Sequence, residues 1–381
     1  MFKKFCFFNA VASLVFSVSA YAEQSGALRQ TFAVERYLSS LTERERIAQI
    51  FLVNIDGNKS YRPLEYYEET VGAKKETLPL IPGGCLFFSY NIAESPETII
   101  DFTISIAEYC EKKSLPRPYT AIDQEGGVVN RLSGITSPLP FASHVSSCLT
   151  PSKSAVLYSL QAEQLRMLGF SMNLAPVSEA KSDFNRDFLG TRSFGAVPST
   201  IAYSLACIDA YQKEGVFCAI KHFPGNSNTD PHTGLPLIDL DSAHVHTQLF
   251  LPYLFIFSSS PAALIMSHAV VPSVDSNSAV FSRVWINDIL RKQAEYTGLI
   301  ISDDIFMGAV SADEPNQIAV RAISAGVHVI MLSDKYFASI VDYLLQAAAK
   351  DSSLALELHE AERKVIEYKL SAGILRRKGK K

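Results

Sequence analysis

The sequence predicts an α/β fold, a single (β/α)8 barrel of the TIM type. Three observations carry that expectation. Eight short apolar runs recur about every 39 residues from Phe51 onward, helical patterns alternate with them, and no linker, low-complexity tract or internal repeat divides the chain. Runs that are apolar at nearly every position suit parallel strands covered on both faces, and eight βα units close into a barrel.

The expected strands, in order, are Phe51–Val53, Cys85–Phe88, Tyr119–Ile122, Met172–Ala175, Val216–Ile220, Ala263–Met266, Leu299–Ile301 and Val327–Leu332. Helix signals lie between them. Thr42 with Glu45 makes a capping box, Ser95-Pro96 puts an N-cap before a proline in the first turn, and Gly169, Gly215, Gly298 and Gly326 stand where helices should stop. The spacing exceeds that of a minimal βα unit, so some loops are long. The largest gaps follow strands three, four and five, where Pro, Gly, Asn, Asp and Ser collect. Residues from about 336 to 372 read as closing helices.

The ends of the chain differ in kind from its middle. Residues 1–22 read as a secretory signal: Lys3 and Lys4 are basic, an apolar stretch runs from Phe5 to about Phe16, and Ala20-Tyr21-Ala22 offers a cleavage site before Glu23. The domain expectation is a signal at 1–22, a barrel at 23–375 and a basic tail at 376–381, in an exported protein, periplasmic or secreted. After cleavage nothing approaches a membrane span. With 35 basic against 39 acidic residues, the net charge of −4 leaves no footprint for nucleic acid. Of six cysteines Cys6 leaves with the signal; Cys85, Cys110, Cys148, Cys207 and Cys218 form no Cys-x-x-Cys pair and read as small buried hydrophobes.

Barrel chemistry sits at the C-terminal strand ends, and polar groups collect there. Strand three leads into Asp123-Gln124-Glu125, strand four to Glu179, strand five to Lys221-His222, strand six to His268 and strand seven to Asp303-Asp304. Each alone reads as a cap or a solvated loop charge; together they suit a hydroxyl-rich ligand. His244-x-His246 lies in a polar stretch and is a weak metal candidate, so no metal and no cofactor are expected. The pairs Gly83-Gly84 and Gly126-Gly127 lack the spacing of a phosphate loop.

The series Asp123-Gln124-Glu125-Gly126-Gly127-Val128-Val129-Asn130-Arg131, Thr191-Arg192-Ser193-Phe194-Gly195, Lys221-His222-Phe223-Pro224-Gly225, Asp230-Pro231-His232 and Ile301-Ser302-Asp303-Asp304 resembles, in this order, the motifs of glycoside hydrolase family 3. The likeness is to its β-N-acetylglucosaminidase (β-hexosaminidase) branch, and it runs from about Leu41 to Leu375. It implies a retaining hydrolase that removes terminal β-linked N-acetylglucosamine from peptidoglycan fragments or chitooligosaccharides. By the same resemblance Asp303 matches the nucleophile, and Asp230 and His232 match an Asp-x-His pair that supplies the acid and base from a mobile loop. Asp123, Arg131, Arg192, Lys221 and His222 would hold the sugar hydroxyls and the 2-acetamido group. Asp304 is expected to be structural, because strand alternation points it away from Asp303.

Val128, Asn226 and Glu179 stand where the family usually has Arg, His and Asp, and the catalytic loop is shorter than the branch's own. These departures leave the matched nucleophile and acid in place and bear on rate, loop closure and substrate length. Two other readings stay open: a barrel that binds peptidoglycan fragments without turnover, and an exo-β-glycosidase of other sugar specificity.

Overall fold

Eight parallel strands form one ring: β1 (Phe51–Asn54), β2 (Gly84–Phe87), β3 (Tyr119–Ile122), β4 (Met172–Asn173), β5 (Phe217–Phe223), β6 (Ala263–Met266), β7 (Leu299–Ser302) and β8 (Ile330–Leu332). Their hydrogen-bonded order is β7-β6-β5-β4-β3-β2-β1-β8. A parallel bridge between Ile301 and Val329, with the His328 and Val329 amides donating to the Ile300 carbonyl, closes β8 onto β7. This computed structural model describes residues 28–71, 74–307 and 314–376. The expected signal with its Ala20-Tyr21-Ala22 site, and the basic tail beyond Arg376, lie outside the described residues.

The unbroken apolar runs have a simple cause: each strand buries both faces, in two different cores. Leu52, Leu86, Ala121, Met172, Ala219, Ile265, Ile301 and Met331 point inward and fill the barrel, while their neighbours Phe51, Cys85, Ile122, Cys218, Leu264, Ile300 and Ile330 point outward under the helices. The last helix, Ser352–Ser371, plugs the N-terminal end of the barrel. Its Tyr368 ring meets the first residues of β3 and β5, Tyr119 and Phe217, edge-on at 5.4 Å from each. Among the described residues no helix is long and apolar enough to cross a membrane.

The helix signals act as read at most positions. Thr42 and Glu45 exchange both capping-box bonds. The Ser95 side chain accepts from the Thr98 amide at the start of helix Pro96–Lys113. Gly169, Gly215 and Gly326 follow helices in the left-handed region. Gly298 does not stop a helix. The helix Val284–Gln293 has already ended, and Gly298 instead lets the chain approach β6 closely: a Cβ there would lie 2.8 Å from the Ala262 carbonyl oxygen.

The first βα unit departs from the expected pattern. Between β1 and β2 the chain makes an antiparallel hairpin, Glu65–Val71 with Lys74–Leu80, where a helix was expected. Glu, Lys and Tyr predominate there on a largely solvated ribbon, so no apolar stripe marks it in the sequence. Cys85, Cys110, Cys207 and Cys218 are buried and free, as small core hydrophobes; Cys148 is exposed, against expectation, because it ends the short surface helix Ala142–Cys148.

The Gly83-Gly84 pair is a packing requirement. A Cβ at Gly83 would lie 1.7 Å from the Gln49 carbonyl oxygen, a backbone atom that cannot move aside. Gly83→Ala is therefore expected to cost about 2–5 kcal/mol in urea denaturation. Gly134→Ala, whose new methyl meets nothing within 4 Å, should change stability by less than about 0.5 kcal/mol.

Candidate active site

A cleft of about 730 Å³ opens at the C-terminal end of the barrel. Asp123, Arg131, Arg192, Lys221, His222, Asp230, His232 and Asp303, the eight residues expected at the site, all line it. The loops between β3 and β6 and the end of β7 bring them together.

Lys221 is the centre of the deep wall. Its ammonium pairs with Asp123 and with Glu125 Oε1 at 2.7 Å, and both Lys221 and Glu125 are almost wholly buried. Arg131 Nη2 donates to Asp123 Oδ2 at 3.2 Å, and Arg192 clamps Glu125 through Nε and Nη2, both at 2.8 Å. Three cations thus share two carboxylates. Burial would raise the Glu125 carboxyl, but Lys221 and Arg192 outweigh it and pull it down to about 2. Burial opposes charge on Lys221 as well, and the two carboxylates reverse that, so it stays protonated.

Local chain geometry puts these groups in place. Asp123 directly follows β3, and the short ribbon Gln124–Gly126 with Val129–Asn130 turns Arg131 back onto it. Gly126 and Gly127, at φ 97° and 59°, make that turn, which only glycine adopts freely, and Val128 at its tip is exposed. On β5 the register against β6 steps from Lys221 opposite Ile265 to Phe223 opposite Met266. His222 is the extra residue of this bulge, and both it and Lys221 therefore reach the cleft.

Glu179, buried behind the wall, holds His222. Its Oε1 lies 2.7 Å from His222 Nδ1 and accepts from the Asn226 side-chain amide at 3.1 Å, and its Oε2 accepts from the Asn226 backbone amide at 2.6 Å. Two of the departures from the family pattern, Glu179 and Asn226, are thus bonded to one another. The arrangement turns His222 Nε2 toward Asp303, 3.8 Å from Oδ2. Neither Glu125 nor Glu179 has a carboxylate oxygen left for the cleft, so both serve the groups that line it.

Asp303 and Asp304 follow the end of β7, where strand alternation no longer applies, and both border the cleft. Burial would raise Asp303, but His222, His268, the Asp304 amide and Lys221 prevail and hold its carboxyl below the usual aspartate range. Asp304 goes the other way, raised by burial and, among its neighbours, by the charge of Asp303, and its Oδ1 caps the Phe306 amide at 2.9 Å. Asp304 was expected to point away from Asp303, and instead it borders the cleft beside it. His268 Nε2 lies 3.0 Å from the Asp304 carbonyl.

Across the cleft, Asp230 Oδ1 accepts from the His232 amide at 2.9 Å and lies 2.7 Å from His232 Nδ1. These bonds hold Asp230 below its ordinary range and occupy Nδ1 of a ring that borders the cleft. Asn228 ties the loop down, accepting from the Asp187 amide and donating to the Asp183 carbonyl. His244 pairs with Asp241 on an exposed helix end, apart from the cleft. The Glu125 and Glu179 contacts were not foreseen, since only the fold brings Glu125 to Arg192 and Glu179 to Asn226.

The profile described as the glycosyl hydrolase family 3 N-terminal domain matches residues 42–368. Beta-hexosaminidase A of Pseudoalteromonas piscicida is 29% identical over 66% of this chain and 45% of its own, and a beta-hexosaminidase of Idiomarina loihiensis is 30% identical over 56% of this chain and 66% of its own. The match thus spans less than half of the first relative's length. A family 3 beta-N-acetylglucosaminidase structure from Paenibacillus sp. shares the fold with a TM-score of 0.78 at 21% identity, over 88% of this chain and 63% of that one.

The folded Glu125 carboxyl titrates near 2 against an ordinary 4.5, so its stabilising effect is complete above about pH 4.5 and is lost as pH falls through the folded value. Glu125→Gln should therefore flatten the fall of stability between about pH 4.5 and 2 in denaturant titrations. At pH 7 the variant is expected to be less stable by about 3–5 kcal/mol, because Lys221 and Arg192 lose a buried partner.

Proposed function

The chain belongs to glycosyl hydrolase family 3, and we propose that it is a retaining exo-β-N-acetylglucosaminidase acting on peptidoglycan fragments or chitooligosaccharides. One observation carries this reading: a carboxylate held ionised at the end of β7 shares a cleft with a hydrogen-bonded Asp-His pair. The names of the relatives, beta-hexosaminidase and beta-N-acetylglucosaminidase, support the same sugar.

Asp123, Arg131, Lys221 and Arg192 bind the hydroxyls and the acetamido group of the terminal sugar with charge-assisted bonds. Asp303 attacks the anomeric carbon; the bond to the leaving oxygen breaks, and that oxygen takes the proton of His232. A covalent glycosyl-enzyme results. Water then attacks the same carbon, His232 takes the water's proton, and the Asp303 carboxylate departs. Asp230 orients the imidazole and stabilises its cation. His222, fixed by Glu179, positions Asp303. No metal or cofactor enters the scheme. From the basic, apolar and Ala20-Tyr21-Ala22 segments of residues 1–22 we further propose export, so the protein recovered from cells is expected to begin at Glu23 on N-terminal sequencing; a chain that keeps Met1 would contradict export by cleavage.

Asp303→Ala is expected to abolish turnover and leave the fold intact by circular dichroism, and more than about a tenth of the activity remaining would name another nucleophile. His232→Ala should lose roughly 10² to 10⁴ on an alkyl glycoside and much less in the first step on a nitrophenyl glycoside. On the latter, azide should restore turnover and yield a β-glycosyl azide. Equal losses on both substrates without azide rescue would assign His232 to binding.

A further inference from the structure

At the N-terminal end of the barrel, opposite the cleft, a second cavity of about 450 Å³ opens beneath the seam where β8 closes onto β7. The helix Val284–Gln293 and the closing helix Ser352–Ser371 wall it. Arg291 from the first helix, Lys364 from the second and His328 from the approach to β8 all border it. The scheme above uses none of them.

Arg291 is a guanidinium without a counter-ion. Its Nη1 donates to the Tyr296 carbonyl and its Nη2 to the Gly298 carbonyl at 2.9 Å, and no carboxylate of the described residues pairs with it. An arginine cannot shed its proton to escape burial, so the charge stays. His328 is buried against Nη2, which lies 3.2 Å from both ring nitrogens. The Ile300 amide donates to His328 Nδ1 at 3.2 Å, which puts the ring proton on Nε2, and that N–H has no acceptor among the described residues. Burial, reinforced by Arg291 and Lys364, keeps this ring uncharged by holding its pKa well below the ordinary histidine value. Lys364 Nζ donates to the Thr297 carbonyl at 3.4 Å, with Glu367 3.6 Å away and outside the lining of the cavity.

The carboxylates at hand are already taken. Glu357 and Glu360 border the cavity, but Arg283 holds the first at 3.1 Å and Arg363 the second at 2.7 Å. Glu295 stands exposed at the rim. Buried donors left without an acceptor cost free energy, so an acceptor from outside supplies what the chain does not. Three donors on three elements call for at least three oxygens around one centre, which a phosphate has and a carboxylate lacks. The volume, roughly that of fifteen waters, also leaves room for a group that carries the phosphate.

We infer that this cavity is a second binding site, which takes a phosphate group, free or as a monoester, on Arg291, Lys364 and His328. Bound there, the anion ties the closing helix to the starts of β7 and β8 without entering the cleft.

Calorimetric titration of inorganic phosphate into the full chain, in phosphate-free buffer at fixed ionic strength, should show one site. Arg291→Gln and Lys364→Gln should each weaken it by roughly five- to twentyfold, and acetate should bind at least about tenfold more weakly than phosphate. Glu295→Gln, which removes a negative charge from the rim, should tighten it. Lys364 is half-buried and holds one backbone carbonyl, so its variant keeps the test decisive if Arg291→Gln fails to fold. At ten times its Kd, phosphate should raise Tm by about 2 °C over chloride, and both variants should lose that rise. Glycerol 1-phosphate binding as tightly as phosphate would assign the site to monoesters, and its exclusion would assign it to the free ion. Three results would each overturn the site: no binding, acetate binding as tightly as phosphate, or binding that both variants leave unchanged, as it would be if the anion sat among Arg131, Arg192 and Lys221.

Discussion

The buried ammonium of Lys221 is the constraint on which the site depends. A lone cation this deep would lose its proton or unfold its surroundings, so the fold has to bring carboxylates to it. Asp123 and Glu125 do this from the next loop but one, and each in turn brings an arginine, Arg131 and Arg192, to the cleft wall. None of these charges could be removed without stranding another. That interdependence places three donors at fixed points before any ligand arrives, which is what the proposed recognition of a sugar would require.

The barrel was legible because its strands obey two independent rules at once. Burial on both faces makes them apolar throughout, and the inward and outward sets separate at period two, as Leu52 and Val53 or Ile300 and Ile301 show. The capping residues Thr42, Glu45 and Ser95 were legible because their bonds span only three residues. The hairpin at Glu65–Leu80 was not, since two of its half-buried positions, Glu65 and Glu69, are charged and leave the alternation of its first strand without an apolar face. Gly298 misled for a related reason: a glycine needed for close approach to a distant carbonyl looks, in sequence, like one needed for a turn.

The site was legible in its residues and not in its wiring. Polar groups after apolar strands pointed to Asp123, Lys221, His222 and Asp303, and the motif series supplied Arg131, Arg192, Asp230 and His232. The bond from Glu179 to Asn226 joins positions far apart in the chain, so each read singly as a departure from the family pattern. Together they form one hydrogen-bonded unit that fixes His222 3.8 Å from Asp303. The short loop with Asp230 and His232 likewise still delivers His232 to the cleft, and Asn228 anchors it to the preceding loop.

The most direct test of this arrangement is to identify the carboxylate that bears the sugar. Protein quenched in acid during turnover of an activated β-N-acetylglucosaminide, then digested and examined by mass spectrometry, is expected to carry one N-acetylhexosamine on Asp303. An adduct on another side chain, or steady turnover with no adduct and release of the α-anomer, would contradict attack by Asp303.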